Sequence, residues 1–467
     1  MSNTKSAWLS LDAQGYDSVM TFADEYMHFI SLGKTERRCV KQAEELARGF
    51  GYANINEYVE NKKPLKAGDK VYFNMMDKAI CLVHIGQRPM SEGLNILGAH
   101  IDSPRIDMKS HPLYEKDGIC LFDTHYYGGI KKYQWVTVPL ALYGVVVLKD
   151  GTHIDVAIGD HEGDEVFVIT DLLVHLSADQ MKSDASTVIQ GENLDVLAGS
   201  IPEAGVEKDP VKANILRLLN ERYGIDEEDF LSAELEFVPQ GAAKSCGLDR
   251  SMVIGYGQDD RVDAYPALMA ILETSDQPVD RTSVCLLVDK EEIGSVGATG
   301  MESHFFEDMI AEIMEAMGCY SGLNVRRALH NSVMLSNDVV NATDPLYADT
   351  SSPHDNNAVL GGGVALAKYV GSRGKSHTND ARAEYVAALR KLFDDAKIEW
   401  QTSELGRVDQ GGGGTIAYIL ARYGMDVIDC GVPVLSMHSP WEITSKVDIW
   451  QALNAFKAFL LKMDRVD

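Results

Sequence analysis

Apolar residues recur three and four positions apart along residues 16–30 and again along 35–50, the spacing that gathers them on one face of a helix. Thr35 can cap the second helix through its side-chain oxygen, and Gly51 can end it. Short unbroken apolar runs follow at 80–85 and 94–98, the length of strands covered on both faces. The second run leads straight into His100 and Asp102. From 107 to 240 the texture changes: apolar runs at 143–148 and 154–158 flank Lys149, Asp150, Gly151 and Thr152, and an Asp-Gly turn between two such runs predicts a hairpin. Beyond 245, strand-like runs at 284–288, 332–335, 427–430 and 434–437 alternate with helical patterns at 304–317, 381–393 and 449–461. That alternation predicts an α/β sheet with helices on both faces. The first hundred residues share the texture, so one α/β domain is expected from 1–106 plus 241–467, interrupted by a β-rich insertion at 107–240.

The length fits two domains, since 467 residues exceed the roughly 250–300 that one core organises. Charge narrows the partners: 43 Lys and Arg against 70 Asp and Glu leave a formal −27, which repels nucleic acid and anionic membrane surfaces. The seven cysteines are scattered, odd in number and without a CxxC pair, so they outline neither a disulfide framework nor a thiolate metal site. A basic leader is absent from the first residues, and no run approaches the roughly 20 apolar residues that span a bilayer; a cytoplasmic protein is expected. The glycine clusters at 361–363 and 411–414 lack the Lys-Ser/Thr ending of phosphate loops and read as close-approach backbone.

In an open α/β sheet, ligands bind beyond the carboxyl ends of the strands, and five polar segments stand where apolar runs end. They hold His100 and Asp102; Asp259 and Asp260; Asp289, Glu291 and Glu292; Asp338; and His438. Each alone could be a helix cap, a turn or surface charge. Together they place several carboxylates and imidazoles, and no thiolate, at one end of a sheet. Repulsion among carboxylates so gathered calls for cations, and His with carboxylate oxygen suits zinc or cobalt.

The segments HIDSP, DDR, DKEEIGSVGATG, SND and PVLSMHSPWEI, with YYGGIKKYQW at 126–135, resemble in order and spacing the aspartyl aminopeptidase family of metallopeptidases with two co-catalytic metal ions. The resemblance runs from the first helices to the last motif. It implies a mixed-sheet, three-layer α/β catalytic domain and a β-rich insertion used for dimerisation. It also implies two divalent ions per subunit, zinc foremost, with cobalt or manganese as substitutes. Asp259 would bridge the ions, His100 and Asp338 would complete one and Glu292 with His438 the other. Glu291 would be the general base, and Asp102 would orient the His100 ring as histidine-bound carboxylates do. The family often has Asp-Asn where this chain has Asp259-Asp260, which leaves Asp260 as a second candidate bridge; register favours Asp259.

The implied reaction is removal of the N-terminal residue of a peptide by a water activated between two metals, acidic N-termini being preferred, with Arg105, Lys131 or Lys132 as the matching cation. Two other functions use the same residues differently. A dinuclear deacylase or carboxypeptidase would keep the metal set and recognise a carboxylate, and a non-catalytic self-assembling shell would have lost the chemistry. The apolar stretches 135–148 and 154–158 ask for a partner subunit. The resemblance extends that to a dodecamer of dimers, in which His175 reaches a neighbouring site.

Overall fold

The computed structural model describes residues 5–466 apart from 162, 372 and 377. The chain divides into two compact units. One comprises Met1–Asp102, Ala243–Met437 and Glu442–Asp467, the other Ser103–Ala242 with His438–Trp441. The joins therefore fall at 102/103 and 242/243, a few residues from the expected 106/107 and 240/241, and four residues near the chain's end group with the second unit.

The first unit is organised by a nine-stranded mixed sheet. Its strands lie in the order Ala53–Asn54, Lys70–Met75, Ala79–His84, Thr282–Val288, Leu94–His100, Val333–Ser336, Asp426–Gly431, Val364–Ala367 and Trp400–Thr402. Four neighbours in the middle, Thr282–Val288 to Asp426–Gly431, run parallel. Every residue of Leu94–His100 and of Thr282–Val288 is buried, which is why their sequences are unbroken apolar runs and not alternating ones. Successive side chains of one strand enter different cores. Leu97, Ala99, Cys285 and Leu287 join one cluster, Ile96, Val284, Leu286 and Val288 the other, as a period of two requires.

Helices Ala13–Leu32, Glu36–Gly49, Gln258–Glu273, Ala383–Asp395 and Lys446–Lys462 feed the first cluster. Phe305–Ala316, Gly322–His330 and Ala417–Ala421 feed the second. The Thr35 hydroxyl accepts the Arg38 N–H at 3.4 Å as the cap of its helix. The expected 434–437 run does not join the main sheet. Pro433–Leu435 pairs instead in a five-stranded sheet with Lys244–Cys246, Met252–Gly255, Glu442–Ser445 and Val340–Asn341.

The helix Gln258–Glu273 had no clear signature in the sequence. It is buried almost throughout, so no polar face creates a 3.6-residue period.

The second unit contains a six-stranded antiparallel sheet in the order His153–Ile158, Leu140–Val147, Ala233–Pro239, Arg105–Lys116, Ile119–Tyr127 and Val196–Gly199. Its first pair is the expected hairpin, with Gly151 at φ 88° in the turn. The helix Pro210–Tyr223 also belongs to this unit. The apolarity of 135–148 and 154–158 has its cover inside the chain: Trp135, Leu140, Leu142, Val146 and Val156 are all buried in the single subunit. These strands do not require a partner. Exposed apolar side chains of this unit lie elsewhere and include Val166, Leu172, Leu173, Val174, Leu176 and Met181.

Candidate metal centre

Four of the expected residues come off adjacent parallel strands at their carboxyl ends. His100 is the last residue of its strand and stands in register with Val288, so the neighbouring chain leaves the sheet beside it through Asp289 toward Glu291 and Glu292. On the other side Val333–Ser336 runs parallel to the His100 strand and reaches Asp338 two residues past its end. Asp259 arrives from a different direction, at the start of Gln258–Glu273, after Gly257 turns the chain at φ 71°. The Asp259–Asp260 peptide is cis.

Donor atoms of His100, Asp259 and Asp338 all lie within 4.8 Å of one another. His100 Nδ1 lies 3.0 Å from the Asp102 carbonyl oxygen; a carbonyl only accepts, so Nδ1 carries a proton and Nε2 is the nitrogen that would give its lone pair to a metal. Nε2 faces Asp259 Oδ1 at 3.2 Å and Glu291 Oε2 at 3.8 Å. A carboxylate oxygen of Glu292 is likewise within 4.8 Å of one of Asp259. Burial pushes His100 down, but its contacts with Asp102 and Asp259 and the charge of Glu291 raise it well above the usual imidazole range. Asp338 is held well above the carboxylate range by burial first and then by the negative charge of Glu291. Such mutual strain among acids is what a cation relieves.

Asp102 does more than orient His100. Its two carboxylate oxygens accept the backbone N–H groups of Glu291 and Glu292 at 3.1 and 3.2 Å, while Oδ1 also lies 3.3 Å from His100 Nδ1. One buried side chain therefore sets the ring and the Glu291–Ile293 turn together. Asp260, the second candidate bridge, is fully buried and accepts the His100 backbone N–H through Oδ2 at 3.2 Å; it is absent from the gathered donors.

His438 lies in the second unit, on left-handed backbone at φ 63°. Its Nδ1 donates to the Gly129 carbonyl at 2.7 Å, which again leaves the lone pair on Nε2. Of the three cations considered for an acidic N-terminus, Arg105 is buried and engaged by Asp107, Glu236 and the Tyr127 ring. Lys131 is exposed, and Lys132 donates to the Ser186 carbonyl at 3.0 Å. His175 is exposed in the short turn Val174–Leu176.

Sequence reasoning gave no role to Glu442, Asp263 or Asp289. Glu442, inside the last motif, is buried and accepts the Asp259 backbone N–H at 3.1 Å. Asp263 accepts the Val432 N–H at 3.0 Å and is raised, chiefly by burial. An acid inside an apolar helix was the available signal, since acids are rarely buried without a task.

Metal fits the donor set. Imidazole nitrogen and carboxylate oxygens converge without a thiolate, as at zinc sites that exchange with cobalt or manganese.

Residues 29–460 match the family of aminopeptidase I zinc metalloproteases, M18. A Clostridium acetobutylicum relative, "Probable M18 family aminopeptidase 1", is 53% identical over 457 residues, 98% of each chain. The crystal structure of an M18 aminopeptidase from Thermotoga maritima superposes with a TM-score of 0.93 at 42% identity, over 99% of this chain and 100% of that one. The structure of the S. cerevisiae mApe1 dodecamer shares the fold, with a TM-score of 0.74 at 18% identity over 94% of this chain and 96% of that one. Sequence and fold thus agree over nearly the whole length, and the chain belongs to the M18 family of aminopeptidases, which are zinc metalloproteases.

Proposed function

We propose that this M18 aminopeptidase removes N-terminal residues from peptides at a centre of two divalent ions, zinc foremost. His100, Asp259 and Asp338 would hold one ion, and Asp259, Glu292 and His438 the other. The observation that carries the reading is the convergence of His100, Asp259 and Asp338 within 4.8 Å, with Glu292 as near to Asp259. When bound, such a pair of ions lowers the pKa of water and polarises the scissile carbonyl. Glu291 takes the proton from the attacking water and returns it to the leaving amine, the work of a general base turned acid. Asp102 keeps Glu291 in reach by holding its backbone N–H, and it keeps the His100 lone pair turned toward the acids.

The test is Glu291→Gln. Turnover should fall about 100-fold to 10,000-fold with metal content and fold unchanged, because a proton acceptor is lost and no ligand. Activity within a few-fold of the parent would remove Glu291 from the role. Free-amine peptides should be cleaved and N-acetylated ones left intact; the reverse favours a deacylase.

Self-assembly into a closed oligomer, a dodecamer of dimers, is part of the same reading. It is supported by the exposed side chains of Val166, Leu172, Leu173, Val174, Leu176 and Met181 in the second unit, since grouped exposed apolar residues mark interaction surfaces. Free cysteines suit a reducing cytoplasm. Among the described residues no helix is long and apolar enough to cross a membrane.

A further inference from the structure

Asp289 directly follows the strand Thr282–Val288 at the Lys290 turn, is fully buried, and takes no part in the metal donor sets. Its Oδ2 accepts the Thr299 hydroxyl at 2.7 Å and the Lys290 ammonium at 3.0 Å. The Lys78 ammonium stands 4.0 Å from the same oxygen and 3.1 Å from buried Glu36. Two acids and two lysines thus meet behind the turn. The chain between Asp289 and Thr299 folds back on itself: the Ser295 N–H donates to the Lys290 carbonyl at 2.6 Å, and Asp289 and Gly300 form a bridge. A Cβ on Gly300 would stand 2.3 Å from the Ser295 carbonyl oxygen, so the return passes as close as backbone allows. Glu291 and Glu292 ride on this loop, gripped on one side by Asp102.

We propose that the Thr299 hydroxyl on Asp289 is a positioning clasp: it closes the 290–299 loop so that the Glu291 carboxylate is held against the reacting water. This rests on Glu291 being the base. The clasp touches no substrate. It acts by fixing where Glu291 stands, and misplacing a catalytic group by about 1 Å costs on the order of 100-fold.

Thr299→Val removes the hydroxyl at nearly constant volume. In the zinc-loaded oligomer kcat should fall about 10-fold to 100-fold, with KM and zinc content unchanged, and Thr299→Ser should bring kcat back to within about 3-fold of the parent on the same reasoning. If Thr299→Val fails to fold, Thr299→Ala, which also lacks the hydroxyl, decides with the same expectations. Unchanged kcat in the folded variant, a loss that Thr299→Ser shares, or a loss that follows zinc content overturns the clasp. Glu291→Gln in parallel separates the two readings. An inactive Glu291→Gln beside a fully active Thr299→Val leaves the base standing and removes the clasp, whereas an active Glu291→Gln removes the base and the clasp with it.

Discussion

Two groups of acids lie near the carboxyl ends of the parallel strands and meet their charge differently. Asp289 and Glu36 are answered by Lys78 and Lys290. Asp289 is still raised by burial and by Glu36 and Asp102, with Lys78 and the Thr299 hydroxyl pulling it back. Asp338, in the other group, is raised well above its ordinary range by burial and then by Glu291, with Asp259 and Asp429 adding to the push and His100, itself a donor, pulling back. Lysines answer the first group, whereas the acids that gather around His100 push one another up. Acids crowded so closely repel one another, and a cation taken from solution would relieve that.

The largest expected effect breaks that contrast directly. Chelation should abolish peptidase activity and Zn²⁺, Co²⁺ or Mn²⁺ should restore it, with about two ions per chain by metal analysis. Zinc should also stabilise the fold against denaturant, by about 2.7 kcal/mol when free metal exceeds its Kd 100-fold. A metal-free preparation with full activity would end the reading.

Lys78→Met probes the other group. It leaves Glu36 and Asp289 buried short of one cation and should lower unfolding free energy by about 3 to 5 kcal/mol, measured by chemical denaturation. The double variant Glu36→Gln, Lys78→Met should recover a good part. If Lys78→Met is as stable as the parent, the lysines are not what balances these acids.

Asp102→Asn touches the point where both groups meet, since it keeps one acceptor oxygen and loses the charge. Metal affinity or turnover should fall about 10-fold to 100-fold, as for other carboxylates behind a metal-bound histidine. A change under two-fold would confine Asp102 to holding the turn.

The smallest effect on the single subunit belongs to the second unit. Val174→Asp with Leu176→Asp lies on exposed side chains and should shift subunit stability by no more than about 0.5 kcal/mol, yet lower the particle mass in light scattering. Unchanged mass would move the assembly surface elsewhere. Val146 could not serve for this purpose, because it is buried within its own chain and a charge there would disturb the sheet itself.

Strands Leu94–His100 and Thr282–Val288 were legible because burial on both faces writes itself as an unbroken apolar run, and the hairpin because Asp150-Gly151 encodes a left-handed turn. The helix carrying Asp259 was not, since an element buried all round has no polar face to mark its period. The candidate residues were legible as polar ends of apolar runs. The hold of Asp102 on the turn of Glu291 and the task of Glu442 were not, because each grips a backbone N–H far away in sequence, 189 positions for Asp102 and Glu291 and 183 for Glu442 and Asp259.

What the sequence determined by itself is the doubly buried strands, the hairpin and the chemistry available at the strand ends: imidazoles and carboxylates without thiolates. What tertiary structure decided is which of these atoms meet. Register between parallel strands brings His100 beside the turn of Glu291 and Glu292, and backbone turned at Gly257 brings Asp259 to them. The same packing gives Asp289 its lysines and leaves Asp338 among acids. Charge compensation depends on distances of 3 to 4 Å between residues far apart in the chain, and only the folded backbone sets those.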